Sequence, residues 1–227
     1  MINEVIRQVK EILSNDDSGH DYFHVERVYN LSLKFAKKEH ADEEVVSLIA
    51  LLHDVDDYKL FGNEQASNLT NAKKIMNSLN ISENKQEVVL DALKTMGYRN
   101  CVKGIRPTSL EGKIVSDADM CDALGANGIL RTYKFGLKYG KEFFNKNTNP
   151  YSMGIDNYKD KVAETSVFHM FEKLLKLKGL MTTESGKEEA NKRHVSMVDF
   201  LYELFYEEEA HEWVKYLDEY LLNRYGE

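Results

Sequence analysis

The chain has 227 residues, and 38 acidic side chains against 30 basic ones give it a formal net charge of −8. Its 42% of apolar residues and 11% of aromatic residues exclude a disordered chain. The acidic balance argues against a polymeric nucleic acid as partner, although it leaves nucleotides open, because a metal ion and a few local cations can bind their phosphates.

Apolar residues recur at helical spacing in most segments, and only two prolines, Pro107 and Pro150, interrupt the chain. The first predicted helix lies in MINEVIRQVKEIL, which has no continuous apolar run and is therefore neither a signal peptide nor a membrane span. A second helix is predicted from about Asp21. A third, from about Asp42, is apolar on nearly every side, so we expect it to be the most buried helix.

The rest of the chain continues the helical pattern, which predicts an all-α fold. Further helices are predicted over residues 64–79, 83–96, 111–136, 158–178 and 184–206, with a last one near the C-terminus. Gly125 and Gly128 fall within the third of these and indicate close packing, a kink or a boundary between two helices. The segments 97–109 and 138–156 are predicted loops. We find no linker, so the sequence predicts one domain over residues 1–227.

The two cysteines, Cys101 and Cys121, provide neither a disulfide framework nor a CxxC zinc motif. This usage favours a reducing compartment. We therefore expect a cytoplasmic protein with no membrane partner.

A His53–Asp54 doublet ends the apolar run 48–52. Charged groups are costly to bury unless they are paired or bind a metal, so the doublet indicates a polar site at the end of a buried helix. The doublet alone is also consistent with a histidine that interacts with the last carbonyls of the helix.

A second polar motif, GHDYFHVER, precedes the doublet at the start of the second predicted helix. His24 and Arg27 are three residues apart and share a helix face. Two imidazoles and one carboxylate from adjacent helices would form half of a divalent metal site, and the missing ligand should be another carboxylate. The segment SDADMCD offers three candidates, Asp117, Asp119 and Asp122.

The motifs GHDYFHVERV, LIALLHDVDDYK and IVSDADMCDALGA, in this order, resemble the HD superfamily of metal-dependent phosphohydrolases, which uses an H…HD…D ligand set. The resemblance implies an HD-domain helical bundle with additional C-terminal helices, a metal-site core over about residues 18–125 and substrate-side helices over about 126–227. The implied metal ligands are His24, His53, Asp54 and Asp119. Asp119 is preferred to Asp117 because the last ligand of the family commonly follows an alanine, and Asp117 is the fallback.

The likeness continues through GANGILRTYKFG and SVFHMFEKLLKLKGLMTTESGKEEANKRH, where the chain is similar to the bacterial YpgQ-like branch of nucleotide pyrophosphohydrolases. It covers roughly residues 18–206. Cys121 replaces an aliphatic residue of that branch, a departure that affects packing more than chemistry. The resemblance implies hydrolysis of (deoxy)nucleoside triphosphates to monophosphate and pyrophosphate.

Chemical roles follow for the residues around the site. Two nitrogen ligands favour one Mn²⁺ per chain over Mg²⁺, and Co²⁺, Fe²⁺ or Ni²⁺ would also fit. Asp57, four residues after His53, would lie near the same face if the helix continued, and it could orient water or take its proton. We expect Asp54 and Asp57 to be the catalytic carboxylates. Candidate substrate-binding residues are His20, Asp21, Arg27 and Lys59 and, from the resemblance alone, Arg131, His169, Lys173 and Arg193.

Other functions remain open at this point. A nucleotidase, or a cyclic-nucleotide or alarmone phosphohydrolase, could use the same metal site on another small phosphorylated substrate. A non-catalytic sensor or interaction domain would keep the metal only for stability, although an adjacent base such as Asp57 disfavours this alternative. A homodimer is one assembly that the sequence leaves open.

Overall fold

A computed structural model describes residues 1–13, 22–152 and 165–226. Within these ranges the chain forms twelve α-helices and no β-strand, which confirms the all-α prediction. The helices are α1 (Ile2–Leu13), α2 (Tyr22–Glu39), α3 (Glu43–Leu52), α4 (Tyr58–Asn68), α5 (Thr70–Ser78), α6 (Glu83–Thr95), α7 (Tyr98–Cys101), α8 (Leu110–Asp122), α9 (Gly125–Lys138), α10 (Ser166–Glu172), α11 (Glu184–Glu207) and α12 (His211–Tyr225). Short 3₁₀ helices span Pro150–Ser152 and Leu174–Leu180. No helix in the described ranges combines the length and apolarity needed to cross a membrane.

The described residues fall into two compact units. The first contains Met1–Asp122 and Gly179–Glu189, and the second contains Ala123–Lys178 and Ala190–Glu227. The expectation of one domain over residues 1–227, with a metal-site core and substrate-side helices, stays a prediction.

Helix α3 is the centre of the first unit. Every residue from Val45 to Leu52 is buried, as the sequence predicted, and α1, α2, α6 and α8 pack against this helix. Its N-terminus is capped by Asp42, whose carboxylate accepts hydrogen bonds from the backbone N–H groups of Glu44 and Val45. This packing fixes the C-terminal end of α3, where the His53–Asp54 doublet begins.

The structure divides three predicted segments more finely. The helix predicted over 64–79 is two helices, because Leu69 adopts a left-handed conformation with φ +50° between α4 and α5. The predicted loop 97–109 contains the short helix α7. The segment 111–136 divides into α8 and α9, and Gly125 has φ +67° at the start of α9, which confirms the boundary between two helices that its glycines indicated.

The second unit has an aromatic core. Phe171, Phe205 and Trp213 are buried, with ring centroids 5.6–6.5 Å apart. Met197 is also buried, whereas Phe168 and Phe200 are only half-buried. Helix α10 and the following 3₁₀ helix cover the described part of the helix predicted over 158–178. Residues 153–164, which include the end of the predicted loop, lie outside the described ranges.

Candidate metal centre

Four polar side chains of the first unit converge at the end of α3. His24 lies on α2, His53 and Asp54 directly follow α3, and Asp119 lies on α8. The His24 Nε2 atom is 3.2 Å from His53 Nε2, 3.3 Å from Asp119 Oδ1 and 3.5 Å from Asp54 Oδ2. The His53 Nε2 atom is 3.6 Å from Asp54 Oδ2 and 3.9 Å from Asp119 Oδ1. The structure therefore brings together all four predicted ligands.

The hydrogen bonds of the two imidazoles decide which nitrogen carries the proton. His24 Nδ1 lies 2.7 Å from Asp122 Oδ2, and His53 Nδ1 lies 2.8 Å from the backbone carbonyl of Ala50. Both partners are acceptors, so each neutral ring carries its proton on Nδ1 and presents a lone pair on Nε2. Two nitrogen lone pairs and two carboxylate oxygens then face one another with no proton among them. Such a set of acceptors calls for a cation.

The spacing of these atoms suits a divalent ion. Metal–nitrogen and metal–oxygen bonds of about 2.1 Å place neighbouring ligands of an octahedral ion about 3.0 Å apart, and those of a tetrahedral ion about 3.4 Å apart. The observed separations of 3.2–3.9 Å need only a small contraction to reach these values. The donor atoms of His24, His53 and Asp119 all lie within 4.8 Å of one another. The residues present fit a metal ion.

The electrostatic surroundings favour an ionised Asp119. Burial by itself raises the pKa of Asp119, but the interactions with His24 and His53 outweigh it, and the pKa falls below its usual value. A nearby cation lowers the pKa of a carboxyl group in the same way. Asp119 is therefore suited to bind a metal in its ionised form, as ligation requires.

Asp122 and Arg27 form an ion pair behind His24. Arg27 donates from Nε to Asp122 Oδ1 at 2.7 Å and from Nη2 to Oδ2 at 2.9 Å. From the sequence, Asp122 was predicted only as a candidate ligand and Arg27 only as a substrate-binding residue. A usable signal was present, since His24 and Arg27, like Asp119 and Asp122, are three residues apart on one helix.

Asp117, the fallback ligand, has another task. Its carboxylate accepts hydrogen bonds from the backbone N–H and the hydroxyl of both Thr182 and Thr183, at 2.7–3.3 Å. Burial raises the pKa of Asp117, and the threonine donors offset this effect only in part. Gly186 packs so closely that a Cβ atom there would lie 2.7 Å from the Asp117 Cβ. Because these donors occupy the Asp117 carboxylate, the geometry favours Asp119 as the ligand.

The prediction that Asp57 lies on the same helix face as His53 assumed that the helix continues, and the helix does not continue. Helix α3 ends at Leu52, and residues 53–56 form turns, so Asp57 does not lie one α-helical turn after His53. Its backbone carbonyl accepts hydrogen bonds from Leu60 and Phe61 at the start of α4. The catalytic role of Asp57 stays a prediction.

The other predicted substrate-binding residues lie outside the described residues or in the second unit. His20 and Asp21 lie outside the described residues, as does the Lys59 side chain, although its backbone belongs to α4. Arg131, His169, Lys173 and Arg193 belong to the second unit. Their roles stay predictions.

The structure gives the surroundings of two of these four residues, His169 and Arg193. Burial lowers the pKa of His169, against the opposing effect of Glu172, whose Oε2 lies 3.6 Å from Nδ1. The side-chain stem of Arg193 packs against Gly125, where a Cβ atom would lie 3.3 Å from the Arg193 Cβ.

A helical core that carries the H…HD…D residues defines a class of protein. The HD domain family matches residues 21–124, a range that contains all four candidate ligands. The chain belongs to the HD superfamily of hydrolases, and this membership supports a metal-dependent phosphohydrolase.

Individual members of the superfamily extend the similarity beyond that range. The YpgQ protein of Bacillus subtilis is 32% identical over 86% of this chain and 88% of its own length. A crystal structure of YpgQ in complex with ADP has a TM-score of 0.69 and 28% identity, and covers 91% of this chain and 97% of that one. An HD-superfamily hydrolase from Bacillus thuringiensis has a TM-score of 0.70 and 32% identity, and covers 92% and 97%. A Lactobacillus plantarum protein has a TM-score of 0.75 and 28% identity, with the same coverage.

Proposed function

We propose that this protein is a divalent-metal-dependent phosphohydrolase that converts (deoxy)nucleoside triphosphates to monophosphate and pyrophosphate. The observation that carries the proposal is the convergence of four acceptor atoms from His24, His53, Asp54 and Asp119, with both imidazole protons directed elsewhere. An arrangement of this kind costs stability without a cation, which supports a metal ion at this position.

These four residues are the proposed metal ligands. Two nitrogens and two carboxylate oxygens favour Mn²⁺ over Mg²⁺, and Co²⁺, Fe²⁺ or Ni²⁺ would also fit this ligand set. A divalent ion bound there would neutralise charge on a phosphoryl oxygen and make a water molecule more acidic.

The protein's own side chains complete the proposed reaction. Asp57 is proposed to orient the attacking water and to take its proton, and Asp54 contributes as both ligand and catalytic carboxylate. The water oxygen forms a bond to the α-phosphorus, the bond from that phosphorus to the bridging oxygen breaks, and pyrophosphate leaves. His20, Asp21, Arg27 and Lys59 are proposed to contact the substrate.

A nucleotide is the substrate class that the relatives favour. The YpgQ complex contains ADP, a ligand with the adenosine and the α- and β-phosphates of a triphosphate substrate. From the YpgQ-like resemblance we propose that Arg131, His169, Lys173 and Arg193 contact the distal phosphates, and the cations among them have the charge that this requires.

The experiment is product analysis in oxygen-18 water. Protein loaded with Mn²⁺ is incubated with a panel of nucleoside tri-, di- and monophosphates, and every product is identified by mass. We expect monophosphate and pyrophosphate, with the label in the monophosphate, because water attacks the α-phosphorus. Label in the pyrophosphate would place the attack on the β-phosphorus and contradict the proposed reaction.

Two further product patterns would replace the proposal. Orthophosphate released from monophosphates, with triphosphates inert, would indicate a nucleotidase. Metal binding without turnover of any nucleotide would indicate a sensor or interaction domain. The Asp119→Asn variant, purified in the same way, controls for contaminating phosphatases and should be inactive. Asp199→Asn makes the same chemical change at an exposed position on α11 and should be as active as the wild type.

A further inference from the structure

We infer that Arg27 and Asp122 are positioning residues that fix the tautomer and the orientation of the metal ligand His24. This inference rests on the proposed metal centre. It gives Asp122, which is not one of the four converging ligands, a task in metal binding, and it gives Arg27 a task besides substrate contact.

The geometry shows a chain of three side chains. His24 and Asp122 are each only 1% exposed, and their Nδ1 and Oδ2 atoms are 2.7 Å apart. Arg27 holds both oxygens of the same carboxylate, at 2.7 and 2.9 Å. Three N–H groups therefore point at two oxygens, an arrangement that suits an ionised carboxylate. With its carboxylate fixed by Arg27, Asp122 can hold the His24 proton on Nδ1.

The helix spacing explains why these residues meet. On α2, His24 and Arg27 are three residues apart, and on α8 the same spacing separates Asp119 from Asp122. The two helices pack against each other, so each contributes one ligand and, one turn later, one residue of the positioning pair. Two of the four ligands and their support thus come from the same helix–helix contact.

The second histidine provides an internal comparison. The Nδ1 atom of His53 is held by the neutral backbone carbonyl of Ala50, which no side-chain substitution removes. The Nδ1 atom of His24 is held by a carboxylate, which makes the imidazole a stronger ligand than a carbonyl does. Substitutions of Asp122 or Arg27 can therefore change the hydrogen bond to His24 Nδ1 while all four ligands are kept.

The first test is the Asp122→Asn variant. An asparagine has one acceptor oxygen, so its NH₂ group must face either His24 Nδ1 or the Arg27 Nε–H. We expect Mn²⁺ to bind about 10–100-fold more weakly by calorimetry, while Asp199→Asn binds as the wild type. Thermal melting in EDTA checks that each variant is folded.

The double variant Arg27→Leu/Asp122→Asn separates positioning from general damage. Without the guanidinium, the amide oxygen is available to accept the His24 Nδ1 proton. We expect the double variant to bind Mn²⁺ more tightly than Asp122→Asn alone, although it carries one more substitution. Weaker binding by the double variant, or wild-type binding by Asp122→Asn, would overturn the inference.

A measurement on the wild type tests the inference even if the Arg27 and Asp122 variants do not fold. Histidine-labelled apoprotein at about pH 8 gives the imidazole tautomers by nitrogen-15 NMR, and the His24 signals are those that His24→Gln lacks. We expect the His24 proton on Nδ1, and a proton on Nε2 would overturn the inference. If the wild type has this tautomer and binds Mn²⁺ but hydrolyses no triphosphate, only the proposed function fails.

Discussion

Two groups of aspartates in the first unit have opposite surroundings. The carboxylate of Asp117 accepts hydrogen bonds from Thr182 and Thr183, and that of Asp56 accepts hydrogen bonds from the backbone of Asn71 and Ala72 at the start of α5. The carboxylates of Asp54 and Asp119, in contrast, face the lone pairs of two histidines. We call the first group the capped aspartates and the second the cluster aspartates.

The difference teaches that burial alone does not identify a functional carboxylate. Asp117 is fully buried and Asp119 is only half-buried, yet Asp119 belongs to the cluster that calls for a cation. The protein itself supplies the donors of the capped aspartates, so these side chains stabilise the fold without a ligand. The cluster aspartates face the Nε2 atoms of the two histidines instead, and we therefore propose them as metal ligands.

The largest expected effect comes from Asp119→Asn. We expect this variant to lose its metal, and its turnover to fall by about 10³-fold or more, since a bound metal supplies several kcal/mol of transition-state stabilisation. Metal content by mass spectrometry and steady-state kinetics provide the measurements. Asp117→Asn is the matched change at the capped position and should keep its metal. Metal loss in Asp117→Asn together with metal retention in Asp119→Asn would make Asp117 the ligand and contradict the division into capped and cluster aspartates.

The second-largest effect is expected at Asp57, which belongs to neither the capped nor the cluster aspartates. We expect Asp57→Asn to keep its metal while kcat falls by roughly 10²–10⁴-fold, because the variant lacks the proposed base. Asp56→Asn, one residue earlier, should weaken the cap of α5 and lower the melting temperature while the chemical step stays nearly normal. A near-normal kcat in Asp57→Asn would show that the reaction needs no base at this position.

A smaller effect is expected from Asp117→Ala, measured as stability. Four donors of Thr182 and Thr183 lose their acceptor, so the free energy of unfolding should fall by about 2–4 kcal/mol. Urea unfolding in EDTA measures this change without a contribution from metal, and Asp199→Ala serves as the exposed control. Unchanged stability together with loss of metal would move Asp117 to the cluster group.

The sequence was sufficient to predict the four side chains that converge at the end of α3, but not the hydrogen bonds of their neighbours. A histidine and an aspartate at the end of a fully apolar helix are conspicuous, and the resemblance supplied His24 and Asp119. The sequence could not show where Asp117 points, because its partners Thr182 and Thr183 lie 65 and 66 residues further along the chain. The pairing of Arg27 with Asp122 spans 95 residues and was missed for the same reason.

Helix boundaries were predicted well only where the chain carries a local signal. Asp42 begins α3 and Gly125 begins α9, since a capping carboxylate and a glycine at positive φ both mark helix ends. The break at Leu69 has no such mark, because leucine rarely adopts φ +50°. The end of α3 at Leu52 also lacks a glycine or proline, and this led to the misplaced helical turn at Asp57.

The smallest expected effect is the pH dependence of Asp117. Its pKa in the folded protein is raised above the ordinary value of 3.8, mainly by burial, so the folded state holds this proton more tightly than the unfolded chain does. The stabilisation that follows is fully present below the unfolded pKa and is lost as the pH rises through the folded pKa. In EDTA, the free energy of unfolding of the wild type should therefore increase relative to that of Asp117→Asn as the pH falls from about 7 to about 4. Because the other carboxyl groups are common to both proteins, the difference between the two unfolding curves isolates Asp117. If the wild type instead loses stability relative to the variant on acidification, the threonine hydrogen bonds outweigh burial, and the capped aspartate is held more firmly as an ion than its burial implies.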